Sequence, residues 1–164
     1  MIRESLGRAT APVNETLMAF DFGLRRIGVA VGNRMLATAN ALDTLHSSAG
    51  GPDYRAIARL VDEWRPDRLI VGSPLGLDGK ANPMTRAADR FAKELVTRFA
   101  LPIERIDERH TSVEAADMIR TARRAGRRRR ARAEDVDKLA AQVILRSWLD
   151  RNAIPPDGTD ATPD

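Results

Sequence analysis

The sequence predicts an α/β fold, a mixed five-stranded sheet with helices on both faces. Three observations carry that reading. Two apolar runs, 17–22 and 27–31, are separated only by a short turn containing Gly23, and read as neighbouring buried strands. A third candidate strand, about Leu36 to Leu45, continues them as a meander. From there apolar strands alternate with amphipathic helices, the order that builds a sheet with helices packed against it.

The elements follow in order. Residues 1–16 lack periodicity and are expected to be disordered, as is the Pro- and Asp-rich segment 152–164, which leaves a single domain at 17–151. After the meander and the loop "HSSAGGPD", a helix is expected from about Tyr54 to Arg65. Its apolar residues Ile57, Leu60, Val61 and Trp64 fall at i, i+3, i+4 and i+7, one stripe facing a sheet. "DRLIVGSP" reads as a short buried strand and "LGLDGKANP" as the loop beyond it. A second helix carries Phe91, Leu95 and Phe99 on one face, and Ile103–Ile106 is the fifth strand. Thr111 with Glu114 three residues later forms a capping box that starts a further helix. The last helix, about Asp135 to Asp150, carries Val136, Leu139, Ala140, Val143, Ile144 and Trp148, so Trp64 and Trp148 are both expected in the core.

Composition excludes several function classes. The 164 residues contain no cysteine and two histidines, His46 and His110, so disulfides and thiolate metal sites are out and a histidine zinc site is disfavoured. Any metal has to be held by oxygen. No apolar run approaches the roughly 20 residues of a membrane span, and the N-terminus lacks the apolar core of a secretion signal, so a cytoplasmic protein is expected. Charge is concentrated rather than large. The net is +4, but "RRAGRRRRAR" at 123–132 holds seven arginines and no acid, a block suited to phosphates and equally readable as a solvated surface loop. The choice of 24 arginines over 3 lysines favours phosphate contact, because the guanidinium fork grips phosphate oxygens in pairs.

Within the first strand one residue is out of place. Asp21 interrupts an apolar run, and a carboxylate taken out of water costs several kcal/mol unless a cation offsets it. Gly28, on the second strand, leaves the backbone bare where something can approach closely. Two further acids join Asp21 as candidates. Glu108 follows the fifth strand on the same side as Ile106 by alternation, and Asp137 opens the final helix. Converging carboxylates without His or Cys are the ligand set for hard cations such as Mg²⁺ or Mn²⁺, and such ions serve phosphodiester hydrolysis. Arg25, Arg26 and Arg109 flank these acids and could hold substrate phosphates. Each acid also has a plainer reading: Asp21 as an ion-pair partner of Arg25 or Arg26, Glu108 as a surface acid like Glu104 and Asp107, and Asp137 as one of several first-turn acids, with Glu134 and Asp135, that complement the helix dipole.

Four stretches, "DFGLRRIGVAVG", "IVGSPLGLDGKANP", "IDERHTSVEA" and "DVDKLAAQVIL", taken in this order resemble the motifs of the YqgF-type pre-16S rRNA nuclease family, also described as RuvX-type Holliday junction resolvases. The resemblance covers about 17–151. It implies an RNase H-like fold, a metal-dependent endonuclease maturing the 5′ end of 16S rRNA, Asp21, Glu108 and Asp137 as catalytic and metal-binding residues, and Mg²⁺ or Mn²⁺ as cofactor. Nucleic acid is then the partner, pre-rRNA first and branched DNA second, for a monomer or homodimer. The nucleic-acid-binding candidates are Arg25, Arg26, Lys80, Arg109 and the run Arg127, Arg128, Arg129 and Arg130. One departure stands out. Related RNase H-like nucleases often carry an acid at the end of the fourth strand, where this chain has Ser73, so Glu108 would have to reach across from the neighbouring strand.

Two rival classes share parts of this pattern. Asp-x-Gly before a second strand also opens the ATP-binding lobe of sugar kinases and actin-like ATPases, which need a second lobe and a second phosphate loop for which 164 residues leave little room. A non-catalytic nucleic-acid-binding module would use the Arg block and tolerate loss of all three acids.

Overall fold

The computed structural model describes residues 14–73, 83–107 and 133–152. Within these, five strands form one mixed sheet: β1 (Thr16–Asp21), β2 (Arg26–Asn33), β3 (Thr38–His46), β4 (Arg68–Ser73) and β5 (Ile103–Asp107). The order across the sheet is β3-β2-β1-β4-β5. The first three strands pair antiparallel as the expected meander, whereas β4 joins β1, and β5 joins β4, in parallel. β1 is thus central, and its residues Leu17–Phe20 are fully buried, as a strand covered on both faces requires.

Three described helices cover the faces: α1 (Tyr54–Trp64), α2 (Pro83–Phe99) and α3 (Ala133–Arg151). α1 begins where the Asp53 carboxylate accepts from the Ala56 N–H at 3.1 Å, filling one donor left open by the helix start. It ends at Arg65, which takes a left-handed conformation (φ 48°) and returns its N–H to the Val61 carbonyl at 2.8 Å. Pro83 opens α2, a position where a missing N–H costs nothing.

Period-two alternation splits the strand side chains into two cores. Met18, Phe20, Ile27, Val29, Leu69 and Val71 meet Ile57 of α1 and Phe91 and Leu95 of α2. Leu17, Ala19, Ala30, Ile70 and Ile106 meet Ala141, Ile144, Leu145 and Trp148 of α3. Each fully buried Leu, Ile or Phe contributes roughly 1.5–3 kcal/mol relative to exposure, so both faces are needed to hold the sheet.

At Gly28 a Cβ would overlap the Asp137 carbonyl oxygen, and at Gly72 it would overlap the Ile144 side chain. The two bare positions let α3 lie directly on the sheet beside the end of β1.

The other end of α3 is tied down by a buried ionic cluster that sequence periodicity does not reveal. Glu15, 2% exposed, receives Arg68 Nε at 3.0 Å, with Arg34 Nη1 at 3.7 Å. Both guanidinium groups lie over the Trp148 ring, 5.7 and 5.8 Å from its centroid, and the Trp148 indole N–H donates to Glu104. The fold therefore starts earlier than the boundary expected at 17: Glu15 is buried and Thr16 already pairs with Asn33. Trp148 lies in the core as expected. Trp64 does not; it is the last residue of α1, before the chain turns at Arg65, and is 39% exposed. The termini 1–13 and 153–164, the loop containing Lys80 and the helix expected from Thr111 lie outside the described residues.

Candidate active site

Asp21 is the last residue of β1, at its carboxyl end. Because Leu17 and Ala19 face α3, alternation puts Asp21 on the same face. Its neighbours across the sheet are Gly28 on β2 and Gly72 on β4, with Ile106 of β5 beyond Gly72. A half-buried carboxylate thus stands between two positions without side chains, and the space above Gly28 is taken by the Asp137 backbone. Asp21 and Asp137 share one corner of the molecule, on either side of Gly28. The close approach anticipated at Gly28 is this helix backbone.

Asp137 is held there by β2. Arg26 Nε donates to Asp137 Oδ2 at 2.6 Å, with the arginine 37% and the aspartate 22% exposed. Arg26, one of the expected phosphate contacts, is thus an ion-pair partner of Asp137 in this structure. Arg25 is exposed at the exit of the turn, and its carbonyl accepts the Ser47 N–H at 2.8 Å. β5 ends at Asp107, paired with Ser73. Glu108, Arg109, His110, Lys80 and Arg127–Arg130 lie outside the described residues.

Among the described residues no group of three or more His, Cys, Asp or Glu could hold a metal. The donors present are two aspartates with an arginine beside them. Their hard oxygen chemistry fits Mg²⁺ or Mn²⁺ and excludes soft-metal binding, and a complete shell needs a further acid.

On the opposite sheet face, just past Asp21, sequence reasoning missed a second feature. Phe22, Tyr54 and Phe91 come together there from β1's end, α1 and α2, with ring centroids 5.1 Å apart for Phe22–Phe91 and 6.2 Å for Tyr54–Phe91. No local pattern links the three, since each belongs to a different element.

A central strand ending in a carboxylate, with a carboxylate-bearing helix laid across it on this strand order, defines the RNase H-like class of α/β proteins. The family model described as RuvX, Holliday junction resolvase, matches residues 15–151. A protein of Xanthomonas oryzae pv. oryzae, provisionally named a pre-16S rRNA nuclease, is 49% identical over 134 residues, covering 82% of this chain and 86% of the relative. A Xanthomonas campestris pv. campestris protein with the same name is 48% identical over the same coverage. The chain belongs to the RuvX family of nucleases, hydrolases acting on phosphodiester bonds. The fold is also that of Thermus thermophilus RuvC, solved with a Holliday junction substrate (TM-score 0.54, 13% identity, 84% of this chain and 95% of that one). The fowlpox virus Holliday junction resolvase is similar in fold (TM-score 0.50, 15% identity, 83% and 99% covered).

Proposed function

We propose that this nuclease is a divalent-metal-dependent endonuclease that processes the 5′ end of pre-16S rRNA, with Asp21, Asp137 and Glu108 as its catalytic and metal-binding acids. The observation that supports the reading is that the Asp137 backbone lies over Gly28, the β2 partner of Asp21, so that two aspartates from opposite parts of the sequence share one end of the sheet. Glu108, the residue after Asp107 at the end of β5, is the third acid by its motif. When bound, Mg²⁺ or Mn²⁺ supplies activation of the attacking water and neutralisation of charge at the phosphate. The two aspartates would orient that chemistry at the end of β1, where the α3 backbone lies over Gly28. Arg25, exposed beside them, is suited to a substrate phosphate, as are Arg26, Lys80, Arg109 and the Arg127–Arg130 run. The names of the relatives support pre-rRNA as substrate, the same reading puts the protein in the cytoplasm as a monomer or homodimer, and no described helix is long and apolar enough to cross a membrane.

The test is Asp21→Asn, which keeps the shape and removes the charge. Cleavage of a 16S precursor fragment in Mn²⁺ should be abolished while the melting temperature without metal stays equal or rises, because two repelling carboxylates become one. Loss of stability with cleavage retained would make Asp21 a structural acid. A four-way DNA junction assayed in parallel separates the substrates, and cleavage of neither by the parent protein would leave a binding module.

A further inference from the structure

Past Asp21 the chain changes face. Successive strand residues point to opposite sides, about 3.8 Å apart along the backbone, so the carboxylate at the α3 face is followed at once by Phe22 at the α1–α2 face. Phe22 forms one wall of a cavity of about 350 Å³ that opens beside the β1–β2 turn. That volume lies within the range of small-molecule sites. Tyr54 and Phe91 supply the other aromatic surfaces, and Arg90 and Glu94 of α2 stand at the polar side. Leu24, at the tip of the turn, is 61% exposed at the mouth.

We infer that this cavity receives one unstacked nucleobase of a single strand whose backbone crosses the carboxyl edge of β1 at Asp21. The inference rests on the nuclease reading for the position of the backbone. The cavity's own chemistry selects the occupant. The aromatic side chains that line it, Tyr54 with the mostly buried Phe22 and Phe91, suit contact with a planar ring, and a neighbouring donor and acceptor, Arg90 and Glu94, suit the mixed edge of a base; single-stranded nucleic acid is read in this way, by splayed bases on aromatic side chains. Cations stand near the cavity. Arg98 lies 4.2 Å over the Tyr54 ring and pairs with Glu94 at 2.8 Å, while Arg25 is exposed at the other end of the turn. Burial, and then the Glu94 charge, hold the Tyr54 phenol above its ordinary pKa against the opposing pull of Arg98. A phosphate would be drawn to the cationic rim and a base to the uncharged interior, which is the polarity of a nucleotide.

The experiment is an abasic scan read by binding, without metal, so that no cleavage enters the signal. A short fluorescent single-stranded RNA, and its DNA equivalent, is prepared with one base deleted at each position in turn. One position should bind about 10-fold more weakly and the rest nearly as well as the parent strand. Gly50 lines the cavity, and a Cβ there has only the Ser48 hydroxyl within 4 Å, at 3.7 Å, so the backbone accepts a side chain at this position and Gly50→Leu is chosen to occupy the space. This variant should bind intact and abasic strands alike. Should it fail to fold, Phe22→Leu, which removes the ring and keeps an apolar side chain, gives the same readout. A position-specific loss on either backbone, erased by the variant, supports the site. A flat scan, or one whose weak position survives in the variant, overturns it. Neither result depends on Asp21 chemistry: a flat scan leaves the nuclease reading standing, and retained cleavage by Asp21→Asn leaves the scan interpretable.

Discussion

Arg26 Nε donates to Asp137 Oδ2 at 2.6 Å, joining the first residue of β2 to the first turns of α3 across 111 positions of sequence. The pair is partly exposed, so its contribution to stability is small, under about 1 kcal/mol. On the proposed reading its importance lies in occupancy, because a guanidinium and a divalent cation would compete for the same carboxylate oxygens. Arg26→Gln should therefore lower the Mn²⁺ concentration for half-maximal cleavage severalfold and raise the KM for RNA. An unchanged metal titration with unchanged stability would mean the pair does not face the metal site.

The two glycines that admit α3 make a contrasting pair. At Gly28 a methyl group meets the rigid Asp137 carbonyl, whereas at Gly72 it meets the far end of the Ile144 side chain. Gly28→Ala should shift Asp137 and, if Asp137 is catalytic as proposed, reduce cleavage by about 100-fold, the cost of a small displacement of a catalytic group. Gly72→Ala should cost about 1–3 kcal/mol by overpacking, with part restored by adding Ile144→Val, which removes the clashing Cδ1. Chemical denaturation and cleavage rates on the four proteins check both halves.

Much of this architecture was legible in the sequence. Buried strands announced themselves as apolar runs and α1 as a stripe at i, i+3, i+4 and i+7, because covering a sheet on both faces demands those patterns. Asp21 was conspicuous for breaking a run, and Gly28 for leaving one bare. What escaped was nonlocal. Glu15 sits in a stretch without periodicity, and only the fold brings Arg34 and Arg68 to it from the starts and ends of other strands. Trp64 fits the apolar stripe yet is exposed at the helix end, since periodicity fixes a direction and not what lies there. The ring cluster of Phe22, Tyr54 and Phe91 and the bond from Arg26 to Asp137 likewise exist only once helices are placed on the sheet.

Tyr54 is the only tyrosine in the chain, so phenolate absorbance reports it alone. Burial raises its pKa in the folded state. The folded protein thus holds this proton more tightly than the unfolded chain. Below the unfolded value of about 10 both states are neutral and the full contribution is present; as pH rises through the folded pKa it is lost. The absorbance midpoint should lie above that of a denatured sample, and the alkaline fall in stability should be shallower in Tyr54→Phe. Coincident midpoints would show a solvated phenol.

The Arg-dense block is expected to set salt dependence. Replacing Arg127, Arg128, Arg129 and Arg130 with Gln should weaken RNA binding at all sequences and reduce the slope of log affinity against log salt by roughly 0.7–0.9 for each phosphate no longer neutralised. Cleavage of saturating substrate should persist. An unaltered slope would assign the block to another role.

The cluster of Glu15, Arg34, Arg68 and Trp148 binds the beginning of β1 to the end of α3. The earliest and latest of the described elements are thereby made neighbours, and this bears on timing during synthesis. A chain halted before Ala133 has every described strand but lacks Asp137, and nothing from α3 covers Leu17, Ala19 or Ile70. On the proposed reading, an unfinished chain still attached to its ribosome carries half a catalytic pair and an open sheet face. On that reading the nuclease would become competent only when α3 has emerged and docked, and an enzyme that cuts RNA would be held inactive while it is itself being translated.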